Sequence, residues 1–162
     1  MADLVTHAAT ALLWRAWRPR EHTPAFVAGS LLPDLLARVP AIALTRLHDR
    51  LGLPIPELLI NLWVPLHLPA GMLLSSYVLA QLFEEARRPG VFRALLGGQM
   101  LHLLVDLLQY HTTGGYMLLY PLSSWSFELG VLGNEDTVYL APPLAALTAL
   151  VWWRRARAQK GI

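Results

Sequence analysis

A chain of 162 residues that is 55 % hydrophobic and only 15 % charged falls well short of the roughly 25 % charge of soluble domains. It points to a membrane protein built as one domain over residues 1–162. Thirteen Lys and Arg against eleven Asp and Glu leave a formal charge of +2, too little to argue for nucleic acid, and the lack of cysteine excludes disulfides and thiolate metal sites.

The first apolar run, Leu4 to Trp17, reads as a helix of about fourteen residues, roughly 21 Å long and short for a span. It is preceded by Met1-Ala2-Asp3, which lacks the basic region of a cleaved signal peptide. His7 lies one turn into the helix; Arg15, Arg18 and Arg20 close it, with Pro19 as the stop. Thr23-Pro24 reads as an N-cap with proline at the first helical position. The second run, Ala25 to Val39, follows. Pro33 interrupts it and is predicted to kink the chain, aiming Asp34. Pro40 to Pro56 reads as a connection with a short amphipathic piece, Ala41 to Arg50.

Glu57 to Phe83 is the longest apolar segment, bent near its middle where Pro65 and Pro69 flank His67. A charged turn, Glu84 to Gly90, leads into Val91 to Tyr110. This stretch is almost wholly apolar, yet it carries His102 and Asp106, four residues apart and so on one helical face. Thr112-Thr113-Gly114-Gly115 ends it. Tyr116 to Asp136 reads as an irregular loop, too long and too apolar for a linker, and is expected to pack over something. Thr137 to Trp153 is the last apolar segment, which Pro142-Pro143 should bend or delay. Trp152-Trp153 before Arg154, Arg155, Arg157 and Lys160 reads as an aromatic belt with a basic flank. The fold class that follows is all-α: an integral membrane bundle of four to five apolar helices with an apolar covering loop after the fourth.

If five segments cross in alternation with the C-terminus inside, ten basic residues fall inside (Arg15, Arg18, Arg20, Arg87, Arg88, Arg93, Arg154, Arg155, Arg157 and Lys160). Three fall outside, namely Arg38, Arg46 and Arg50. That bias obeys the positive-inside rule and predicts a multi-pass membrane protein with its C-terminus on the cytoplasmic side. On the same scheme Asp34 and His102 lie roughly 15 Å from their inner helix ends and His67 roughly 15 Å from its outer end. With His7 near the outer end of its helix and Asp106 beyond His102, all five can meet between the midplane and the outer surface.

Singly, these residues have bland readings. A histidine near a helix start is often a cap, an aspartate after proline is often a turn former, and His67 suits a core histidine bonded to a carbonyl freed by a neighbouring proline. Collectively they are unusual, because ionisable groups in apolar runs are rare and face a protein interior or a wet cavity. A set of His7, Asp34, His67, His102 and Asp106 with an open position suits a divalent ion, zinc first. Such an ion lowers the pKa of water to about 7 and supplies hydroxide for hydrolysis. His102 and Asp106 are the candidate catalytic pair, Asp106 as a ligand or as the group that orients His102. His111 is expected in the loop, at the rim of the site, and His22 and His48 at the surface. Glu128, Glu135 and Asp136 are solvated charges or, alternatively, a further ligand or general base. There is no Gly-rich phosphate loop, serine elbow or Rossmann fingerprint.

With these residues assembled, the chain resembles the bacterial membrane-bound metal-dependent hydrolase family over most of its length. The resemblance rests on Thr6-His7, Gly29-Ser30-Leu31-Leu32-Pro33-Asp34, the isolated His67, Leu101-His102-Leu103-Leu104-Val105-Asp106 and Tyr120 to Gly130. It implies an inner-membrane hydrolase whose metal is held by the His/Asp pattern, and it is distantly similar to the all-helical zinc-dependent phospholipases C. Two positions depart from it. Leu36 stands where many members carry a second aspartate, which removes a candidate ligand for a two-metal site, and Leu68 stands where many carry serine.

The function expected is hydrolysis of a phosphoester or other ester, as a small molecule or derived from a membrane lipid, with no nucleic-acid partner. Two rivals come from other classes. One is a haem-binding electron carrier with two of His7, His67 and His102 as axial ligands. The other is a non-catalytic membrane scaffold whose polar residues serve helix contacts.

Overall fold

The computed structural model describes residues 3–17, 21–52, 54–111, 114–133 and 136–159. Arg18, Pro19, Arg20, Thr112, Thr113, Glu135 and Lys160, all invoked above, lie outside the described residues. Within them the chain is all-α, with two isolated β-bridges and no strand.

Helix α1 spans Leu4–Trp17. Asp3 caps it, accepting from Thr6 N–H at 2.9 Å and from the Thr6 hydroxyl at 3.0 Å, which satisfies first-turn donors and sets the phase that carries His7 inward. Helix α2, Thr23–Pro33, opens with proline in its first turn. The expected interruption at Pro33 takes the form of one wider helical turn, and the stretch from Pro40 to Leu51, expected as a connection with a short amphipathic piece, is helical throughout. A single π-helical turn, Asp34–Arg38, carries the chain without a break into α3, Val39–Leu51. The reason is local. Pro33 has no N–H to give Gly29, and Asp34 N–H bonds to Leu31 O rather than to Ser30 O, its α-helical partner. The slack is absorbed by a wider turn, closed by Val39 N–H on Asp34 O. Pro40 then falls in the first turn of α3, where a missing N–H costs little.

The expected bend about His67 is present. Helix α4, Glu57–Asn61, a 3-10 turn, Val64–His67, and α5, Pro69–Ala80, bend by 79°. A Cβ on Gly71 would stand 2.0 Å from the Pro65 carbonyl, so only glycine lets the turn fold back onto α5. Helix α6, Arg88–Leu107, buries Val91, Ala94, Leu95, Gly98, Gln99, His102, Leu103, Asp106 and Leu107. These recur at intervals of three and one, the single-stripe pattern of a helix with one inward face. The helix ends at Leu107, short of the expected Tyr110, so Gln109, Tyr110 and His111 already belong to the loop.

Helix α7 spans Asp136–Gln159. Its start is not delayed and the helix runs on through Pro142-Pro143, whose fixed φ is helical although each gives up a backbone donor. It packs on α1, where Thr148 donates to Ala9 O at 3.3 Å and the Trp152 indole N–H to Leu12 O at 3.1 Å.

At the centre, α2 and α6 touch backbone to backbone. A Cβ on Gly29 would lie 2.3 Å from Leu95 O, and one on Gly98 2.0 Å from Phe26 O. Gln99 ties α5 to α6, donating to Ser76 Oγ at 2.7 Å and to Met72 O at 3.2 Å, while Ser75 donates to its Oε1 at 3.2 Å. The outside is apolar: Leu74, Tyr77, Val78, Leu104 and Leu122 are each more than half exposed. Thr23–Leu51 and Arg88–Leu107 are long and apolar enough to cross a membrane, and the bent pair 57–80 makes a third if it counts as one span. Helices α1 and α7 do not meet that measure among the described residues.

Candidate metal centre

The fold brings all five candidate residues into one buried cluster. His7 comes from the first turn of α1, Asp34 from the start of the π turn, His67 from the 3-10 turn, and His102 and Asp106 from successive turns of α6. None is more than 5 % exposed.

Asp106 is the hub. His7 Nε2 lies 3.3 Å from its Oδ1, while His67 Nε2 and His102 Nε2 lie 3.0 and 3.3 Å from its Oδ2. The His67 and His102 Nε2 atoms are 3.1 Å apart, and the His7 and His102 rings stack with centroids at 3.7 Å. Asp34 joins from the far side of His67, its Oδ1 3.9 Å from Nδ1, and accepts from Arg38 at 3.3 Å. The core-histidine reading of His67 therefore gives way, because its nitrogen faces carboxylates and not a carbonyl.

The tautomer of one histidine follows from its partner. His102 Nδ1 lies 2.8 Å from Ser30 O, and a carbonyl only accepts, so Nδ1 carries the proton. In the neutral ring the lone pair of Nε2 then faces Asp106 Oδ2. A lone pair against a carboxylate in a dry site is repulsive unless a cation, or an extra proton on the ring, lies between them. The carbonyl that fixes this tautomer is the one whose α-helical donor, Asp34 N–H, has turned to Leu31. The change of hydrogen-bond pattern at Pro33 thus frees a backbone oxygen for His102 beside the Asp34 carboxylate.

Further atoms are left unmatched. His7 Nδ1 and Nε2, His67 Nδ1 and Asp106 Oδ1 are buried without a hydrogen-bond partner. His7, His102 and Asp106 offer ligand atoms all within 4.8 Å of one another, as do Asp34, His67 and His102. Ligands about 2.0–2.1 Å from a tetrahedral zinc stand roughly 3.3 Å apart, close to the 3.0–3.3 Å separations around Asp106. This donor set can hold a divalent metal ion. His102 offers a single free nitrogen, so the two triads overlap and do not make two independent sites.

Sequence reasoning missed Tyr116. Its hydroxyl donates to Asp106 Oδ2 at 2.6 Å and lies 3.3 Å from His67 Nε2. Burial, and then the charge of Asp106, push its phenol well above the ordinary tyrosine pKa, which keeps it a donor. The loop that bears it packs through Tyr116 on Leu68, Met72, Leu103 and Leu107, with Met117, Leu118 and Phe127 alongside, so the expected covering loop is real. The only signal in the sequence was that loop's apolar character.

Beside Tyr116 sits His111, ring centroids 4.9 Å apart. Glu128 accepts from both His111 backbone N–H and Nδ1–H, at 2.8 and 3.0 Å. Glu128 is thus paired, and not a free solvated charge. Asp136 accepts from Gly133 N–H at 2.8 Å at the start of its own helix and does not join the cluster. Leu36 leaves the second-aspartate position apolar.

Against known proteins, a family model described as YdjM inner membrane protein matches residues 1–161. No curated protein and no solved structure matches the chain.

Proposed function

The chain belongs to the YdjM inner membrane protein family, and on its buried His/Asp cluster we propose that it is a membrane-embedded, divalent-metal-dependent hydrolase. In this reading His7, Asp34, His67, His102 and Asp106 supply the metal's ligands as two overlapping triads that share His102, with zinc in first place. The substrate is a phosphoester or other ester, reached from the surrounding lipid. The ion would supply Lewis acidity and a water acidic enough to give hydroxide near neutral pH.

The observation that carries the reading is the meeting of His7 Nε2 and His102 Nε2 on opposite oxygens of one buried carboxylate, with His7 Nε2 and Asp106 Oδ1 left without a hydrogen bond. A structural His–Asp pair needs one imidazole and leaves no such orphans. The residues have distinct tasks. The Ser30 carbonyl holds the His102 ring in its tautomer, Tyr116 occupies one edge of Asp106 Oδ2, and Arg38 steadies Asp34.

The haem alternative fits poorly: the stacked His7 and His102 rings at 3.7 Å, and the His67 and His102 Nε2 atoms only 3.1 Å apart, leave no slot for a macrocycle between either pair. The scaffold alternative is separated by experiment. Full-length protein purified in mild detergent is expected to carry about one divalent ion per chain by elemental analysis. Asp106→Asn and His102→Gln should lose it. Wild-type protein that stays metal-free after exposure to zinc, manganese and iron(II) would sink the reading. The basic run Arg154, Arg155 and Arg157 after Trp152-Trp153 further supports a C-terminus on the cytoplasmic side.

A further inference from the structure

A second built feature lies at the other end of the same helices. A cleft of about 450 Å³ opens between α1, α2 and α6, walled by Arg15, His22, Phe26 and Arg93 with Trp14 at its side. Arg15 follows His7 by eight residues on α1, and Arg93 precedes His102 by nine on α6, which separates cleft and cluster by roughly 12–14 Å along the axes. The two are different sites.

Its chemistry is cationic and amphipathic. Arg15 is only 5 % exposed and stacks over the Phe26 ring at 4.1 Å. Arg93 is exposed and is held by a bond from its Nε–H to Pro89 O, which leaves the outer guanidinium nitrogens available. Glu21 is the one acidic residue of the described lining. The first turns of α2 and α6 both border the cleft, through His22 and Gly90, adding the partial positive charge of two helix starts.

The level of the cleft is also marked. Trp14 and Trp17 end α1, and Trp152 bonds to Leu12 on that helix, so Trp152 and Trp153 stand at the same end. All four are more than a third exposed. Exposed indoles gathered at one level mark a membrane interface, where phospholipid phosphates lie.

We propose that this cleft binds the phosphate of an anionic phospholipid headgroup. Arg93 meets the phosphate at the mouth of the cleft, Arg15 lends positive charge from its wall, and the Trp14 and Phe26 rings line the start of the glycerol and acyl region. The inference does not rest on the metal reading, because it uses none of the cluster residues.

The test uses full-length protein in a non-ionic detergent, titrated with phosphatidylglycerol in mixed micelles and followed by lipid adducts in native mass spectrometry. Arg93→Gln, at an exposed position, should weaken binding by about tenfold or more, the expected loss of one charge-assisted contact. Arg154→Gln removes the same charge outside the cleft and should change it by no more than about twofold. Equal weakening by both variants would mean a diffuse basic surface and overturn the proposal. So would phosphatidylcholine binding as tightly as phosphatidylglycerol. Inorganic phosphate that competes as strongly as the lipid would overturn the lipid assignment in favour of a soluble phosphate.

Discussion

His102 is fixed by a bond to a backbone group, the Ser30 carbonyl, so no change of the Ser30 side chain deletes the acceptor. Tyr116 is different: it acts on the cluster through one hydroxyl, 2.6 Å from Asp106 Oδ2. Tyr116→Phe keeps the ring packed on Leu103 and Leu107 and deletes only that donor. Competition with a chromophoric chelator should show metal affinity lowered by about tenfold to a hundredfold, the usual effect of losing an outer partner of a ligand. Unchanged affinity would reduce Tyr116 to a packing residue. The five cluster residues were legible in the sequence because helical periodicity sets His102 beside Asp106, and rise per residue sets the depth of the others. Tyr116 was not, because a loop has no period from which the direction of a side chain can be read.

Helices α2 and α6 depend on two glycines whose missing side chains permit backbone contact. That contact also lets His102 reach Ser30. Gly98→Ala puts a methyl 2.0 Å from Phe26 O, so the helices must part. Thermal unfolding in detergent should show a loss of at least about 1–3 kcal/mol, with reduced metal content. Gly97→Ala is the internal comparison: its methyl meets the Phe26 ring at 3.3 Å, and the gain in helix propensity of about 1 kcal/mol offsets that tight contact. Equal tolerance of both changes would refute the close-packing account. At this scale the sequence showed the bend at His67 but not the unbroken course from Thr23 to Leu51. Proline marks where an α-helical ladder fails, and says nothing of whether the chain breaks or widens by one residue into a π turn.

For the whole molecule, orientation in the bilayer is testable because the chain contains no cysteine. Ala158→Cys, on an exposed position near the end of α7, should react with a membrane-impermeant maleimide in inverted vesicles and not in intact spheroplasts. The opposite pattern would reverse the assigned orientation. All-α architecture and membrane embedding were readable from composition and the apolar runs. The partnership of α1 with α7 was not, since an apolar helix face carries no label for the neighbour it will meet. That partnership has a consequence in time. On the ribosome α1 emerges first and waits through α2 to α6 and the loop before Thr148 and Trp152 arrive to brace it. His7 is therefore the first of the cluster residues to be made, and the helix that carries it gains its last two braces, at Ala9 and Leu12, only after every other cluster residue is in place.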